Sequence, residues 1–409
     1  MKRELIFLIF AAIILRLILA STTFHPDLLA FHFANFAFAD QFILNIYDYL
    51  HNPPLNSPIR LYGTDFFTWP PLAYFLLGFL TLLTKPLFNI EFARLLSPEN
   101  LFASSEIFRH LLLLKLPYLL FDLLAAFFLV KLFKDDKQKK WALYLWLFNP
   151  VLLYATYMIG QFDVIPTFFV VLSLFLAQQS KSKLALLSLG FGGALKMFPL
   201  LLVPFASVIL GKKVSEKISL LALGFAPFVI SILPFLSSEA FRSVSLFSAQ
   251  SQKLLFAGVN VSGADILYLF LIFFILLFFY SLKYGELQNL WKFFFCVLLL
   301  FFALTNFHPQ WFLWITPFLI IFFIREREIW IYSLILLLTY VGIVLLFEPS
   351  LSIGLFSPIF PELSNTPGIS TIVAKYFAPT QLSSILRSIF AASAIWIIIS
   401  LFKTKKTIL

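Results

Sequence analysis

Charge is what this sequence has least of. Only 12% of its 409 residues are Asp, Glu, Lys or Arg, about half of the roughly 25% that soluble globular domains carry. With 61% hydrophobic residues and a mean hydropathy of +0.95, a soluble domain is excluded. Cysteine is nearly absent. Cys296 stands alone in an apolar run, which rules out an intramolecular disulfide and most zinc motifs. There is also no Gly-rich phosphate loop, no Ser-His-Asp arrangement and no separate soluble domain. A net charge of +10 would point to nucleic acid in a soluble protein. In a chain this apolar it has a simpler source, because Lys and Arg accumulate in cytoplasmic loops, so no nucleic-acid partner is expected.

What is present is a series of apolar runs. Twelve are long enough to read as membrane spans, near 5–21, 110–130, 141–158, 162–177, 184–196, 197–211, 218–236, 262–282, 291–305, 311–324, 329–347 and 384–402. The expected fold is therefore all-α: a polytopic membrane protein forming one integral domain, 1–409. Met1-Lys2-Arg3-Glu4 before the first run fits a retained signal anchor. The run 184–196 is short, since 13 residues rise only about 20 Å against a hydrocarbon core of about 30 Å. Such a helix must end within the membrane profile, beside protein or a water-filled cavity.

The basic residues orient these spans. With the N-terminus cytoplasmic, 19 of the 30 Lys and Arg lie in the segments 1–4, 131–140, 178–183, 212–217, 283–292, 325–328 and 403–409. Counting 70–83 as a further crossing would place Lys131 to Lys140 outside, against the positive-inside rule. Residues 22–109 then form one large extracytoplasmic loop, with 28–50 and 70–83 as interfacial helices and both termini inside.

That loop gathers Asp27, Asp40, Asp48 and Asp65 with His25, His32 and His51. The remaining polar motifs fall on the same side: Gly160-Gln161-Phe162-Asp163, Lys196-Met197-Phe198-Pro199 and Asn306-Phe307-His308-Pro309-Gln310-Trp311. Polar groups at membrane depth are costly and mark substrate paths, and their convergence is the main sign of a site. Arg109 and Lys115, near the outer end of the second span, could hold phosphate. Asp122 lies deeper, too far from Lys115 for an i,i+4 pair, and its partner is open.

The ordered motifs carry a resemblance. Trp69-Pro70-Pro71-Leu72-Ala73-Tyr74 looks like the aromatic-Pro-Pro-Leu-x-x-Tyr segment of the dolichyl-phosphate-sugar-dependent glycosyltransferases. Phe121-Asp122-Leu123-Leu124, Phe148-Asn149-Pro150 through Asp163, and Lys196 to Pro199 are similar to further motifs of that family, in the same order. Phe307-His308-Pro309-Gln310-Trp311-Phe312-Leu313-Trp314 resembles a motif of the glycosylphosphatidylinositol first mannosyltransferase and its prokaryotic relatives. Together they resemble the C-type integral membrane glycosyltransferase superfamily over roughly residues 5–325, which leaves 326–409 as accessory spans.

The resemblance implies transfer of a hexose, mannose first, from a polyprenyl-phosphate donor to a lipid or glycan acceptor, with inversion. It implies a prokaryotic plasma membrane and an active site on the extracytoplasmic side. It makes Asp27 the catalytic base and gives substrate-binding roles to Asp65, Trp69, Arg109, Gln161, Asp163, Lys196, His308 and Gln310. No cofactor is implied outright. Some relatives carry Asp-x-Asp where this chain has His25-Pro26-Asp27, and the missing carboxylate weakens the case for a divalent metal.

Each site residue also has a plainer reading. Asp27 could only cap the helix that follows, Asp65 could close an Asx-turn, and Lys196 could snorkel to the interface. His308 could be a satisfied loop histidine, and Gln161 and Asp163 could merely close a turn. A secondary transporter or a flippase of lipid-linked sugars is the competing function, because it too would bury Asp, Lys and His near the midplane. A transporter usually shows an inverted repeat with paired broken helices, and none is evident in this chain.

Overall fold

The computed structural model describes residues 2–55, 57–61, 66–89, 98–326 and 330–402. The chain opens on α1 (Lys2–Thr22), an apolar helix that buries one narrow stripe, Ala12, Arg16 and Ala20. Then come α2 (Asp27–Ala39), α3 (Ile46–His51) and α4 (Pro71–Thr84), with α2 packed on α4. The short α5 (Pro98–Ala103) leads into α6 (Ile107–Lys131), which lies against α1. After α6 the chain turns into α7 (Asp136–Leu147), a single turn α8 (Pro150–Leu152), α9 (Val164–Gln178) and α10 (Ser182–Leu195). Next are α11 (Val203–Leu210), α12 (Val214–Ile232), the turn α13 (Glu239–Phe241), α14 (Leu269–Tyr284), α15 (Leu290–Leu304) and α16 (Thr316–Arg325). The last described elements are α17 (Trp330–Leu345), the short α18 (Ile369–Val373) and α19 (Pro379–Leu401).

Among the described residues, five helices are long and apolar enough to cross a membrane: Glu4–Thr22, Ile107–Lys131, Val214–Phe235, Leu287–Leu304 and Pro379–Leu401. Their outward faces carry large apolar side chains, among them Ile6 and Phe7 on α1, Ile230 on α12 and Ile385 on α19. No water-soluble helix presents such faces, so the chain is a helical membrane protein.

Several of the twelve expected runs are interrupted among the described residues. Residues 141–158 break at Asn149-Pro150, where Asn149 adopts an extended backbone and its side chain accepts from the Val151 and Leu152 N–H groups. Proline disfavours a helical residue before it and cannot donate its own N–H. The expected span 262–282 begins in strand instead: β1 (Gly258–Ser262) and β2 (Asp265–Tyr268) form an antiparallel hairpin before α14. Gly263 turns it at φ +53°, a conformation glycine adopts freely. This hairpin is the only strand structure among the described residues. Residues 197–211 start with a 3₁₀ turn carrying Pro199, and 311–324 starts inside a 3₁₀ turn that opens at Pro309, before each becomes α-helical.

Asp122 has its partner in α1. It accepts from Arg16 Nε at 2.6 Å, from Trp146 Nε1 at 2.7 Å and from the Tyr157 hydroxyl at 2.6 Å. Arg16 also donates to the carbonyls of Ala12 and Leu147. Arg16 and Asp122 are both fully buried, so one polar knot ties α1, α6, α7 and the 157 turn. Removing one member of such a pair costs about 3–5 kcal/mol, because it strands an uncompensated charge.

Lys115 forms a second tie. Its Nζ donates to the carbonyls of Ala20, Thr23 and Tyr157 at 2.6–3.1 Å. The first two stand at the C-terminal end of α1, where carbonyls lack intrahelical partners and a cation is favoured. The segment leaving α1 is thereby anchored against α6.

Candidate active site

That anchored segment carries Phe24-His25-Pro26-Asp27, which enters α2 within five residues of α1's end. Across from it runs a π-helical stretch, Leu153–Met158, of the kind that interrupts α-helices at functional sites. The stretch ends in a tight turn at Gly160, which has φ +83°. A Cβ there would also stand 2.6 Å from Leu28 on α2. Position 160 therefore needs glycine twice over, for its left-handed backbone and for the close approach of α2. The consequence is that Gln161 faces Asp27.

Asp27 is the first residue of α2, yet its side chain caps nothing. Gln161 Nε2 donates to Asp27 Oδ2 at 2.6 Å. The reverse amide orientation would set two acceptors face to face, which fixes the amide. Gln161 itself is buried, and its Oε1 has no partner among the described residues. The Asp27 side chain is 41% exposed, with Oδ2 held by Gln161 and Oδ1 3.6 Å from His25 Nδ1, without a hydrogen bond among the described residues. The α2 N-terminus beside it favours negative charge.

His25 completes this corner. Its Nδ1 accepts from the Asp27 backbone N–H at 3.2 Å, so the ring proton sits on Nε2, which is buried without a partner among the described residues. Burial lowers the His25 pKa, against an opposing pull from Asp27. The 3.6 Å approach of Nδ1 to Asp27 Oδ1 is then a contact with a neutral imidazole rather than an ion pair. No group of three metal-holding side chains gathers among the described residues.

Asp163 and Lys196 lie one layer deeper. The Lys196 Nζ donates to both Asp163 oxygens at 2.8 Å, and Trp314 Nε1 donates to Oδ1. Asp163 is fully buried and the Lys196 side chain 11% exposed. The rings of Phe162, Trp311 and Trp314 surround the ammonium at 5.3–5.9 Å. Lys196 therefore does not snorkel: it ends α10 in extended backbone and turns inward. Its charge is committed to Asp163, and the pair locks α9 to α10 and to the 309–314 turn.

His308 stands above this box, edge-on to Trp311 with ring centroids 5.3 Å apart. Its Nε2 lies 3.5 Å from Gln250 Nε2. Its pKa is lowered to about 4, by burial first and then by the charge of Lys253, with Asp27 opposing. It is neutral near pH 7. Gln310 is buried, with Oε1 unpartnered among the described residues. Trp69 packs on Phe31 and Phe162 at centroid distances of 4.5 and 5.9 Å, and its carbonyl accepts from the Tyr47 hydroxyl. Phe31 is one helical turn from Asp27, so Trp69 walls the same corner.

Two expected residues do not reach it. Arg109 is exposed and donates to the Leu87 carbonyl and to Glu106, while Lys115 is buried among carbonyls. Asp65 lies outside the described residues. Conversely, Lys253 was not singled out in the sequence; it stacks on Trp311, with Nζ 4.6 Å from the ring centroid. The only signal for it was a basic residue in a segment poor in acids.

α17 and the turns that follow it also border the site. Leu355 accepts from the Phe24 N–H at 2.8 Å, Leu351 from the Tyr154 hydroxyl, and Pro309 from the Tyr340 hydroxyl. Compared with known protein families and with proteins of curated function, the chain matches none.

Proposed function

We propose that the protein is a membrane glycosyltransferase. It moves a hexose, mannose before others, from a polyprenyl-phosphate donor to an acceptor hydroxyl on the extracytoplasmic side, with Asp27 as general base. The observation that carries this reading is the Asp27 carboxylate, half-exposed and free of any capping bond, with one oxygen oriented by a neutral amide. A general base must reach the acceptor hydroxyl at about 2.6–3.2 Å, and Oδ1 is the oxygen available for it.

In the proposed step Asp27 takes the hydroxyl proton as the acceptor oxygen attacks the anomeric carbon from the face opposite the phosphate. The bond to the phosphate oxygen breaks, and that oxygen leaves with the electron pair as a polyprenyl phosphate. The configuration inverts. Phosphate leaves without protonation, so the second carboxylic acid of glycosidases has no counterpart here. The neutral His25 and His308 border the site without adding charge, and the Asp163–Lys196 pair holds its floor. Interrupted helices alongside the five long ones are what a twelve-span chain would show where its spans border a polar cavity.

The test is to offer the purified protein a panel of polyprenyl-phosphate sugars and follow transfer or donor hydrolysis. The Asp27→Asn variant is expected to lose about 10²–10⁴-fold in rate, with membrane insertion and elution in detergent unchanged. Transfer near the wild-type rate by that variant would remove the assignment. The buried pairs Arg16–Asp122 and Asp163–Lys196 are also what a transporter would carry, so substrate-driven ion flux in proteoliposomes, without transfer, would favour that reading instead.

A further inference from the structure

The β1–β2 hairpin stands clear of the helices. All five residues of β1 and the first three of β2 are exposed. Its base is tied to α14, whose first residue, Leu269, donates its N–H to the Ala257 carbonyl at 3.0 Å. Val259 and Leu267 form a cross-strand pair and are 51% and 50% exposed, and Phe256 just before the hairpin is 58% exposed. A lone two-stranded hairpin is marginal in water, and an open apolar strand edge invites pairing. Something must cover this one.

The length of α14 says what does. Its 16 residues rise about 24 Å, against about 30 Å of hydrocarbon. Ile272, Phe273, Leu276 and Phe279 are exposed along it, so lipid surrounds the helix. The shortfall cannot be met at its far end, where Lys283 and Glu286 stand. It is met at the hairpin. Two strand residues of about 3.3 Å each lead back from Leu269 to Leu267, which brings the Val259–Leu267 pair to the edge of the hydrocarbon. No Lys or Arg lies between Lys253 and Lys283, and the sole acid there is Asp265, in the hairpin turn. Tyr268, at the junction with α14, suits the headgroup belt where tyrosines gather. Deeper burial is barred, because unpaired strand edges find no partners in hydrocarbon; at headgroup depth water satisfies them.

We infer that the hairpin, with Phe256, is an anchor that docks onto the lipid surface of the leaflet beside the candidate site and so holds the 251–255 turn in place. That turn carries Lys253, whose Nζ stacks on Trp311 at 4.6 Å. It follows Gln250, whose amide nitrogen lies 3.5 Å from His308 Nε2. The lipid surface thereby fixes part of the rim of the site. The inference holds whatever the site catalyses, since it draws only on the hairpin, α14 and the turn.

The test places single spin labels in the full-length protein, reconstituted in phosphatidylcholine–phosphatidylglycerol vesicles, with its one cysteine, the buried Cys296, replaced as Cys296→Ala. Labels at Leu267→Cys and Val259→Cys are expected to be open to oxygen, which partitions into lipid, and shielded from a water-soluble nickel chelate. A label at Ala264→Cys, in the hairpin turn, should show the reverse. Equal nickel access at positions 267 and 264 would put the hairpin in water and overturn the proposal. Shielding of position 267 from both probes would overturn it too, because a second copy of the chain would then cover the face. In a second arm, Val259→Asp combined with Leu267→Asp should free the turn, read as faster motion of a label at Ala249→Cys. Asn260→Asp, on the opposite face of the strand from Val259, should leave that motion unchanged. Unchanged motion in the double variant would overturn the hold on the rim while leaving the lipid contact standing. If the double variant fails to fold, the oxygen and nickel comparison decides alone.

Discussion

Asp27 and Asp122 are treated in opposite ways. Asp122 is fully buried, paired with Arg16 and further satisfied by Trp146 and Tyr157. Asp27 is 41% exposed, with one strong donor from Gln161 and an oxygen left over. A buried carboxylate with both oxygens engaged is a structural part, and it cannot readily take a proton from a substrate. One held at a single oxygen and open at the other is suited to chemistry. Asp163, saturated by Lys196 and Trp314, belongs with Asp122.

The largest expected effect that tests this contrast is on folding. Arg16→Met leaves Asp122 buried without its cation, and Asp122→Asn leaves Arg16 without its anion. Each should cost about 3–5 kcal/mol and show as loss of folded protein in gel filtration. Changing both to residues of similar size should recover much of the loss. If Asp122→Asn instead folds normally and abolishes transfer, the division of labour between the two aspartates is wrong.

Gly160→Ala comes next. A methyl at φ +83° that also meets Leu28 at 2.6 Å combines backbone strain with overpacking, each about 1–3 kcal/mol. Because the turn aims Gln161 at Asp27, the activity of the surviving folded protein should fall along with its stability. Full activity in that fraction would separate the turn from the site. Gln161→Ala removes one charge-assisted bond, of about 1.5–3 kcal/mol. It should slow transfer about 10–100-fold, mainly in kcat, without the folding defect of Asp122→Asn. A change confined to stability would return Gln161 to the role of turn closure.

The membrane class and the polar convergence were legible because both depend on composition and order along the chain. Apolar runs and clustered motifs survive reading in one dimension. Pairing did not. The partner of Asp122 sits 106 residues away in α1, and Lys196 reaches Asp163 from the end of another helix. Nothing in the local spacing joins them. Span continuity was also misread where the 141–158 run crossed Pro150, because hydropathy does not register a missing N–H. The contribution of Leu351 and Leu355 escaped for a third reason: they act through backbone carbonyls, which any residue could supply.

The smallest expected effect concerns protons rather than side-chain loss. Asp27 is bordered by imidazoles that the fold keeps neutral, His308 down to about 4 and His25 lowered by burial. An unfolded histidine takes up its proton near 6.5, whereas folded His308 resists until about 4. Between those values the unfolded state binds more protons, so stability falls as pH drops from 6.5 toward 4 and is insensitive to this group above 6.5. Thermal unfolding of the purified protein should therefore shift to lower temperature at pH 5 relative to pH 7.5. His308→Gln should shrink that shift while leaving the pH 7.5 value nearly unchanged. A shift of equal size in the variant would mean the acid sensitivity lies with His25 or with the carboxylates. The contrast between a guarded neutral border and one open carboxylate would then rest on Asp27 and Gln161 alone.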